Sequence, residues 1–250
     1  MPLNQQKIEQ YQTQIDWPCD LSDSFTESFL SGAIKKTHIS GSEFNLHNQE
    51  QYGIYYLLKG SLMVTAPLLT DGFSLSKLYG PSDWMCYAPI MNFKFPSGMT
   101  GEFLQNIEYL KIPISHLNYL MSQSDELFKL LFFIKSVRSD TMFEKCLVSL
   151  ATPSIVKVAY TLLDICRVQN SHYHLFIESP NDASPIKIKI TQQQIANLAG
   201  INRSNTSTII NEFSLQGIVE PYRGGLYVND LRQLKSFLNE VNLLGTSKLS

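Results

Sequence analysis

Hydrophobic and polar positions along the chain change their period twice. Residues 1–24 are mostly polar, with Trp17-Pro18 as the one anchor, and read as an arm or a partly helical lead-in. From Phe25 to about Ile114, short apolar or alternating runs are broken by Gly, Pro, Asn and Asp. Such runs stand at residues 55–58, 61–66, 73–78, 84–87 and 109–112, with turn residues at Gly41, Gly53, Gly60, Gly72, Gly80, Gly98 and Gly101. Many short strands at this spacing predict an antiparallel sandwich or barrel.

Beyond Ile114 the period becomes helical. Leu117, Leu120 and Met121 make a short amphipathic piece, and residues 124–150 predict a long helix. Leu127, Leu131 and Ile134 follow steps of four and three, and the same seam continues through Arg138, Thr141, Lys145 and Val148. That is a heptad-like stripe, apolar in its first half and mixed later, on a helix about 40 Å long at ~1.5 Å per residue. Leu130, Phe132 and Phe133 widen the apolar surface, so one face is expected on the β part and another on a second copy of the chain. Leu127, Leu131, Ile134, Arg138 and Thr141 are the expected pairing seam.

Ala151-Thr152-Pro153-Ser154 breaks this helix, because proline disfavours helical geometry in the residue before it and a hydroxyl can cap the next helix. A domain boundary and hinge are placed here. The expected divisions are an arm at 1–24, a β domain at 25–123, a long helix at 124–150 and a C-terminal domain at 151–250. Residues 155–168 read as a helix with Val158, Leu162 and Ile165 on one face. Residues 172–178 and 186–190 are strand-like. Residues 231–244 read as a last helix, with Leu234, Phe237, Leu238 and Val241 inward.

The most informative stretch is residues 191–217, TQQQIANLAGINRSNTSTIINEFSLQG. Thr191 and Gln194 have capping-box spacing ahead of Ile195, Leu198 and Ala199, so a helix is expected to start there. Gly200 suits a left-handed turn. A second run then puts Thr206, Ile209, Ile210 and Phe213 on one face, with Asn202, Arg203, Ser204 and Asn205 in its first turn. Two short helices joined by a short turn with Gly make a helix-turn-helix. The second helix of that motif enters the major groove, where Arg matches guanine and Asn matches adenine. A helical hairpin that binds no DNA is the alternative for these residues alone. The next segment favours DNA. Ile218-Val219, a tight turn at Tyr222-Arg223-Gly224-Gly225, and Leu226-Tyr227-Val228 form a two-stranded wing, whose Arg223 can reach a phosphate.

Composition sharpens this only a little. An apolar content of 44 % and a charged content of 17 % are ordinary for a globular chain. The net charge of −2 excludes a generally basic nucleic-acid coat. The charge is uneven, however. Residues 1–153 hold 11 Lys/Arg against 15 Asp/Glu, and residues 154–250 hold 9 against 7. No apolar run approaches the ~20 residues of a membrane span, and the polar N-terminus lacks a signal core, so a cytoplasmic protein without membrane contact is expected. Cys19, Cys86, Cys146 and Cys166 lack metal-clip spacing and are expected to be buried free thiols.

The order of β part, long helix, hinge and winged helix-turn-helix resembles the Crp/Fnr family of transcription regulators. The resemblance covers about residues 25–230. Its sharpest pieces are residues 55–64, YYLLKGSLMV, and residues 190–219, ITQQQIANLAGINRSNTSTIINEFSLQGIV. It implies an α+β fold: an N-terminal antiparallel, jelly-roll-like β-roll, a long dimerisation helix and a C-terminal winged helix-turn-helix. It further implies a homodimer on palindromic promoter DNA, in contact with RNA polymerase, and no enzymatic activity. Of the family's Arg, Glu and Arg on the recognition helix, only Arg203 stands here. Ser204 replaces the Glu, Thr208 replaces the second Arg, and Ser207 lies beside it. Thr191 and Gln193 match phosphate-contacting positions, and Gln192 between them joins the DNA-contacting set. A shifted half-site is therefore expected.

The cyclic-nucleotide cassette of the family also departs. Residues 83–88 read Asp-Trp-Met-Cys-Tyr-Ala, and residues 93–101 contain Ser97 but no Arg. A buried cyclic phosphate without the family's guanidinium lacks its bidentate partner, so cyclic AMP is not expected. Nor is any other fixed cofactor, although an unknown small-molecule effector is compatible with the roll. Trp84, Tyr87, Ser97, Asp140 and Thr141 are the candidate pocket residues, with Phe93, Phe95 and Phe103 as further apolar lining. A lone N-terminal cysteine argues against an iron–sulfur cluster. His38, His47 and His116 are expected at the surface. The competing reading is a cupin-type metal enzyme or ligand-binding protein built on the roll. It is weakened because the roll has no H-x-H pair, and His172-Tyr173-His174 lies outside it.

Overall fold

The computed structural model describes residues 3–44, 49–67, 74–87, 98–170 and 185–239, without the side chains of residues 86, 87 and 137–144 among others. The expected strand at 172–178, His47, Ser97, Phe93, Phe95 and the H-x-H pair lie outside the described residues. So do the side chains of Tyr87, Arg138, Asp140 and Thr141. The chain divides into two compact units, residues 1–62 with 79–141 and residues 63–78 with 142–250.

The first unit opens with two helices: α1 (Gln5–Gln14), within the expected arm or partly helical lead-in, and α2 (Asp23–Ser31), where the strand region was expected to start. Asn4 caps α1 by accepting from the Lys7 N–H at 3.1 Å, and Ser22 caps α2 by accepting from the Phe25 N–H at 3.2 Å. The sequence signal was weak because α1 is polar nearly all round and buries only Ile8 and Tyr11. Tertiary packing, not propensity, stabilises it. The Glu126 carboxylate accepts from the Ser22 N–H at 2.7 Å and its hydroxyl at 2.6 Å, and these bonds hold that carboxyl below its usual range.

The strands are β1 (Ile34–His38), β2 (Glu43–Phe44), β3 (Gly53–Lys59), β4 (Leu62–Pro67), β5 (Ser74–Tyr79), β6 (Trp84–Tyr87), β7 (Thr100–Phe103) and β8 (Ile107–Pro113). β1, β8, β3 and β6 form one antiparallel sheet in that order, and β2 pairs antiparallel with β7. Both faces of the sheet are covered, so β3 reads as a nearly continuous apolar run rather than an alternation. On one face Ile54, Tyr56, Trp84, Leu110 and Ile112 pack against α1, α2 and the helices after β8. Trp17 is the wedge, with its ring 5.4 Å from Trp84 and 5.7 Å from Phe29. On the other face, Tyr55, Phe44, Phe103 and Tyr109 cluster around His38.

Two expectations fall with this arrangement. Trp84 and Phe103 do not share a pocket, because Trp84 is locked into the helix-covered core and its indole N–H donates to the Asp16 carbonyl at 3.0 Å. Nor are His38 and His116 surface groups. His38 stacks on Phe103 at 4.8 Å and its Nε2 lies 3.0 Å from the Tyr109 hydroxyl. His116 is half-buried, with Nε2 2.9 Å from the Ser28 carbonyl. Burial, then the nearby Lys36 charge, pulls the His38 pKa down, and burial pushes Tyr109 up to about 12.

After β8 come α3 (Ile114–Met121) and α4 (Glu126–Ala151), the long helix expected at 124–150. The pairing seam assigned to it is corrected in part. Leu127, Leu131 and Ile134 are buried by their own chain, packed with Leu117, Leu120 and Leu130. The apolar residues α4 leaves free in this unit are Phe128, 39 % exposed, and Phe132, 66 % exposed.

In the second unit, β4 and β5 are neighbours, tied by the Thr65 and Ser76 hydroxyls at 2.8 Å. The Lys145 ammonium of α4 donates to the Ser76 carbonyl. α5 (Ser154–Gln169) follows Pro153 and buries Val158, Leu162 and Ile165 as the pattern requires. Cys166 is buried with its thiol pushed up, whereas Cys19 and Cys146 are only half-buried. Then come β9 (Ile186–Ile188), α6 (Gln192–Ala199), α7 (Arg203–Leu215), β10 (Val219–Tyr222), β11 (Gly225–Val228) and α8 (Leu231–Asn239). The expected last helix thus appears through Asn239, and its continuation to 244 lies outside the described residues.

Candidate nucleic-acid interface

The capping box forms at α6. Thr191 Oγ1 accepts from the Gln194 N–H at 3.2 Å, while Gln194 Oε1 accepts from the Thr191 N–H at 2.8 Å. Gly200, at φ 66°, closes the helix in the left-handed conformation that an L side chain rarely adopts. The turn then delivers Asn202, whose side-chain oxygen accepts from the Asn205 N–H at 2.8 Å and caps α7.

α7 divides cleanly. Thr206, Ile209, Ile210 and Phe213 are buried, and the Phe213 ring packs on Phe237 of α8 at 5.3 Å. The opposite side exposes Arg203, Ser204, Asn205 and Thr208, with Ser207 half-buried. These side chains share the N-terminal half of one helix, as recognition of base edges requires. Two of the expected contacts have local work. Asn202 holds the cap with its oxygen, which leaves only its amide N–H groups to a partner. Thr208 donates its hydroxyl to the Ser204 carbonyl at 3.2 Å, so it too is held close to the helix. Arg203 is therefore the one long, charged reader on this surface. Asn211, exposed two turns further on, was not singled out from sequence although its spacing puts it on the same side.

Around α7, Gln193 is exposed and donates to Asn197 at 2.9 Å, Gln192 is half-buried, and Thr191 is exposed at the α6 cap. The wing forms where expected, with β10 and β11 antiparallel and Arg223 exposed in the two-residue turn between Tyr222 and Gly225. It is not a two-stranded element, however. β9 pairs with β11 and completes a three-stranded sheet. Gly225 lets this sheet close, since a Cβ there would run into the Ile188 carbonyl and the Tyr222 ring. Tyr222 lies across that gap and donates to the Ile188 carbonyl at 3.0 Å.

Among the described residues no group of three or more His, Cys, Asp or Glu is placed to hold a metal ion, and no helix is long and apolar enough to cross a membrane.

Residues 156–237 match the family model described as a Crp-like helix-turn-helix domain. No curated protein matches the chain. Among solved structures, a CRP/FNR-family transcriptional regulator from Thermus thermophilus is 15% identical, with a TM-score of 0.64 over 83% of this chain and 100% of that one. A CRP-family transcriptional regulator from the same organism is 14% identical, with a TM-score of 0.64 over 82% and 96%. The c-di-GMP-responsive global regulator CLP from Xanthomonas campestris is 14% identical, with a TM-score of 0.62 over 84% and 100%. At these identities the structural likeness is one of fold. All three are described as regulators. Residues 156–237 thus match a Crp-like helix-turn-helix domain, and over 83% of its length the chain shares its fold with a solved CRP/FNR-family regulator.

Proposed function

We propose that the protein is a homodimeric transcription regulator that reads palindromic promoter sites in the cytoplasm. Arg203 makes the principal base contact, assisted by Ser204, Asn205, Ser207 and Thr208. Thr191, Gln192, Gln193 and Arg223 hold the sugar-phosphate backbone, with the Asn202 amide beside them. The observation that carries this reading is the division of α7 into a buried apolar side and an exposed polar side tipped by Arg203. Two copies pair through α4. Phe128 and Phe132, one turn apart and left exposed, support that pairing, because apolar surface of this size on a helix favours burial against a partner. Contact with RNA polymerase follows from the same reading.

The β-roll works without cyclic AMP, since residues 83–88 depart from the family's Gly-Glu-Leu turn and residues 93–101 offer no Arg beside Ser97. Footprinting on DNA upstream of the gene, with sedimentation of the free protein, tests the proposal. A protected site with two-fold symmetry and a two-copy species are expected. Uniform weak binding with no protected site would overturn it.

A further inference from the structure

The recognition helix offers Arg203 as its only cation, and it also exposes the Glu212 carboxylate. Phosphate contacts generally supply a large share of affinity for duplex DNA, so further cations have to come from elsewhere in the same domain. The wing sheet supplies them. Along Ile186-Lys187-Ile188-Lys189-Ile190 the isoleucines are buried and both lysines exposed, so the alternation turns the lysines to the solvent face. Lys187 stands opposite Tyr227 in register. Its ammonium lies 4.9 Å from the centre of the Tyr222 ring and 5.7 Å from that of Tyr227, and the two rings are 4.9 Å apart. Tyr222 is itself fixed by its bond to the Ile188 carbonyl. The cation is thus held against two neighbouring rings, one of them anchored, without being neutralised, since a cation–π contact leaves the charge available. Among the described residues no carboxylate pairs with it. Glu220, across β11 from Lys187, is two strand spacings away, about 10 Å, where screening is already strong.

We infer that Lys187, set by Tyr222 and Tyr227, is a phosphate-contacting residue that clamps duplex DNA beside the recognition helix, with Arg223 at the wing tip extending the same basic edge. The inference rests on the reading of the chain as a DNA-binding regulator and adds the element that supplies its electrostatic affinity. Lys187 carries no sequence information. It sets affinity and its salt dependence, while Arg203 sets which sequence is bound.

The test measures binding of the full chain to a footprinted site and to an unrelated duplex, by fluorescence anisotropy across a salt series. Lys187→Gln is expected to weaken both by a similar factor and to flatten the plot of log K against log salt by about 0.9 per copy bound. Lys187→Arg should restore the slope. Tyr227→Leu, which removes one ring under the ammonium, should weaken binding less than Lys187→Gln. A Lys187→Gln variant that melts normally, binds the site and keeps the full slope overturns this inference and leaves the regulator reading intact. Failure of the wild-type chain to select any site overturns both.

Discussion

α4 and α7 both carry an apolar stripe, and they differ in what lies opposite it. On α7 the stripe of Ile209, Ile210 and Phe213 is buried, and the other side is polar and open from Arg203 to Glu212, with Leu215 exposed only at the C-terminal end. On α4, Leu127, Leu130, Leu131 and Ile134 are buried, but the side that remains open in the first unit carries the apolar rings of Phe128 and Phe132 beside Lys129. A helix left with a polar, Arg-tipped side is suited to a hydrated, charged partner such as DNA. A helix left with two phenylalanines one turn apart is suited to protein. One principle, that each helix first satisfies its own core, makes the leftover side the diagnostic one.

Adjacent residues on α4 give the sharpest way to break this comparison. Leu131 is 2 % exposed, and Leu131→Ala is expected to cost about 2–5 kcal/mol of stability, read from the denaturant midpoint followed by circular dichroism. Phe132, the next residue, is 66 % exposed, and Phe132→Ala should leave the monomer's midpoint within about 0.5 kcal/mol. The Phe128→Ala, Phe132→Ala pair should instead weaken association by about 2 kcal/mol or more, measured by sedimentation equilibrium. Equal stability losses at Leu131 and Phe132 would show that α4 has no free face.

α7 offers the matching contrast at smaller cost. Arg203→Ala is expected to weaken site-specific binding by about 1–3 kcal/mol and to relax sequence preference without moving the midpoint. Asn202→Ala, which removes the α7 cap, should lower stability by about 0.5–2 kcal/mol. A larger effect of Asn202→Ala on base selectivity than on stability would make Asn202 a reader rather than a cap.

The smallest expected effect lies in the covered sheet. His38 has its folded-state pKa below its unfolded value of ~6.5, so the unfolded chain binds the extra proton first. Stability is therefore expected to be full above that value and to fall as pH drops from it toward the lower folded pKa. His38→Gln should flatten that part of a stability–pH profile. A wild-type profile flat from pH 7 down through that window would show that His38 is not held neutral by the fold.

Much of the recognition element was legible in the chain itself. Residues 191–228 carry a capping box, a left-handed glycine, an i, i+3, i+4 stripe and a two-residue turn, each fixed by local sterics or hydrogen bonding within a few residues. Local chemistry of this kind survives whatever surrounds it. The N-terminal helices were legible only as a partly helical lead-in, because α1 is nearly all polar and owes its place to Ile8 and Tyr11 meeting Trp17 and the sheet. The heptad-like spacing of Leu127, Leu131 and Ile134 was real, but spacing says only that residues share a face, not whose core that face enters. The structure placed it in its own unit and left Phe128 and Phe132 outside. The Lys187 site was half legible: the alternation around it shows in the sequence, but its rings come from residues more than thirty positions away. Periodicity thus determines which residues lie together on an element. Which of those faces stays in water is decided only when distant segments compete to cover it.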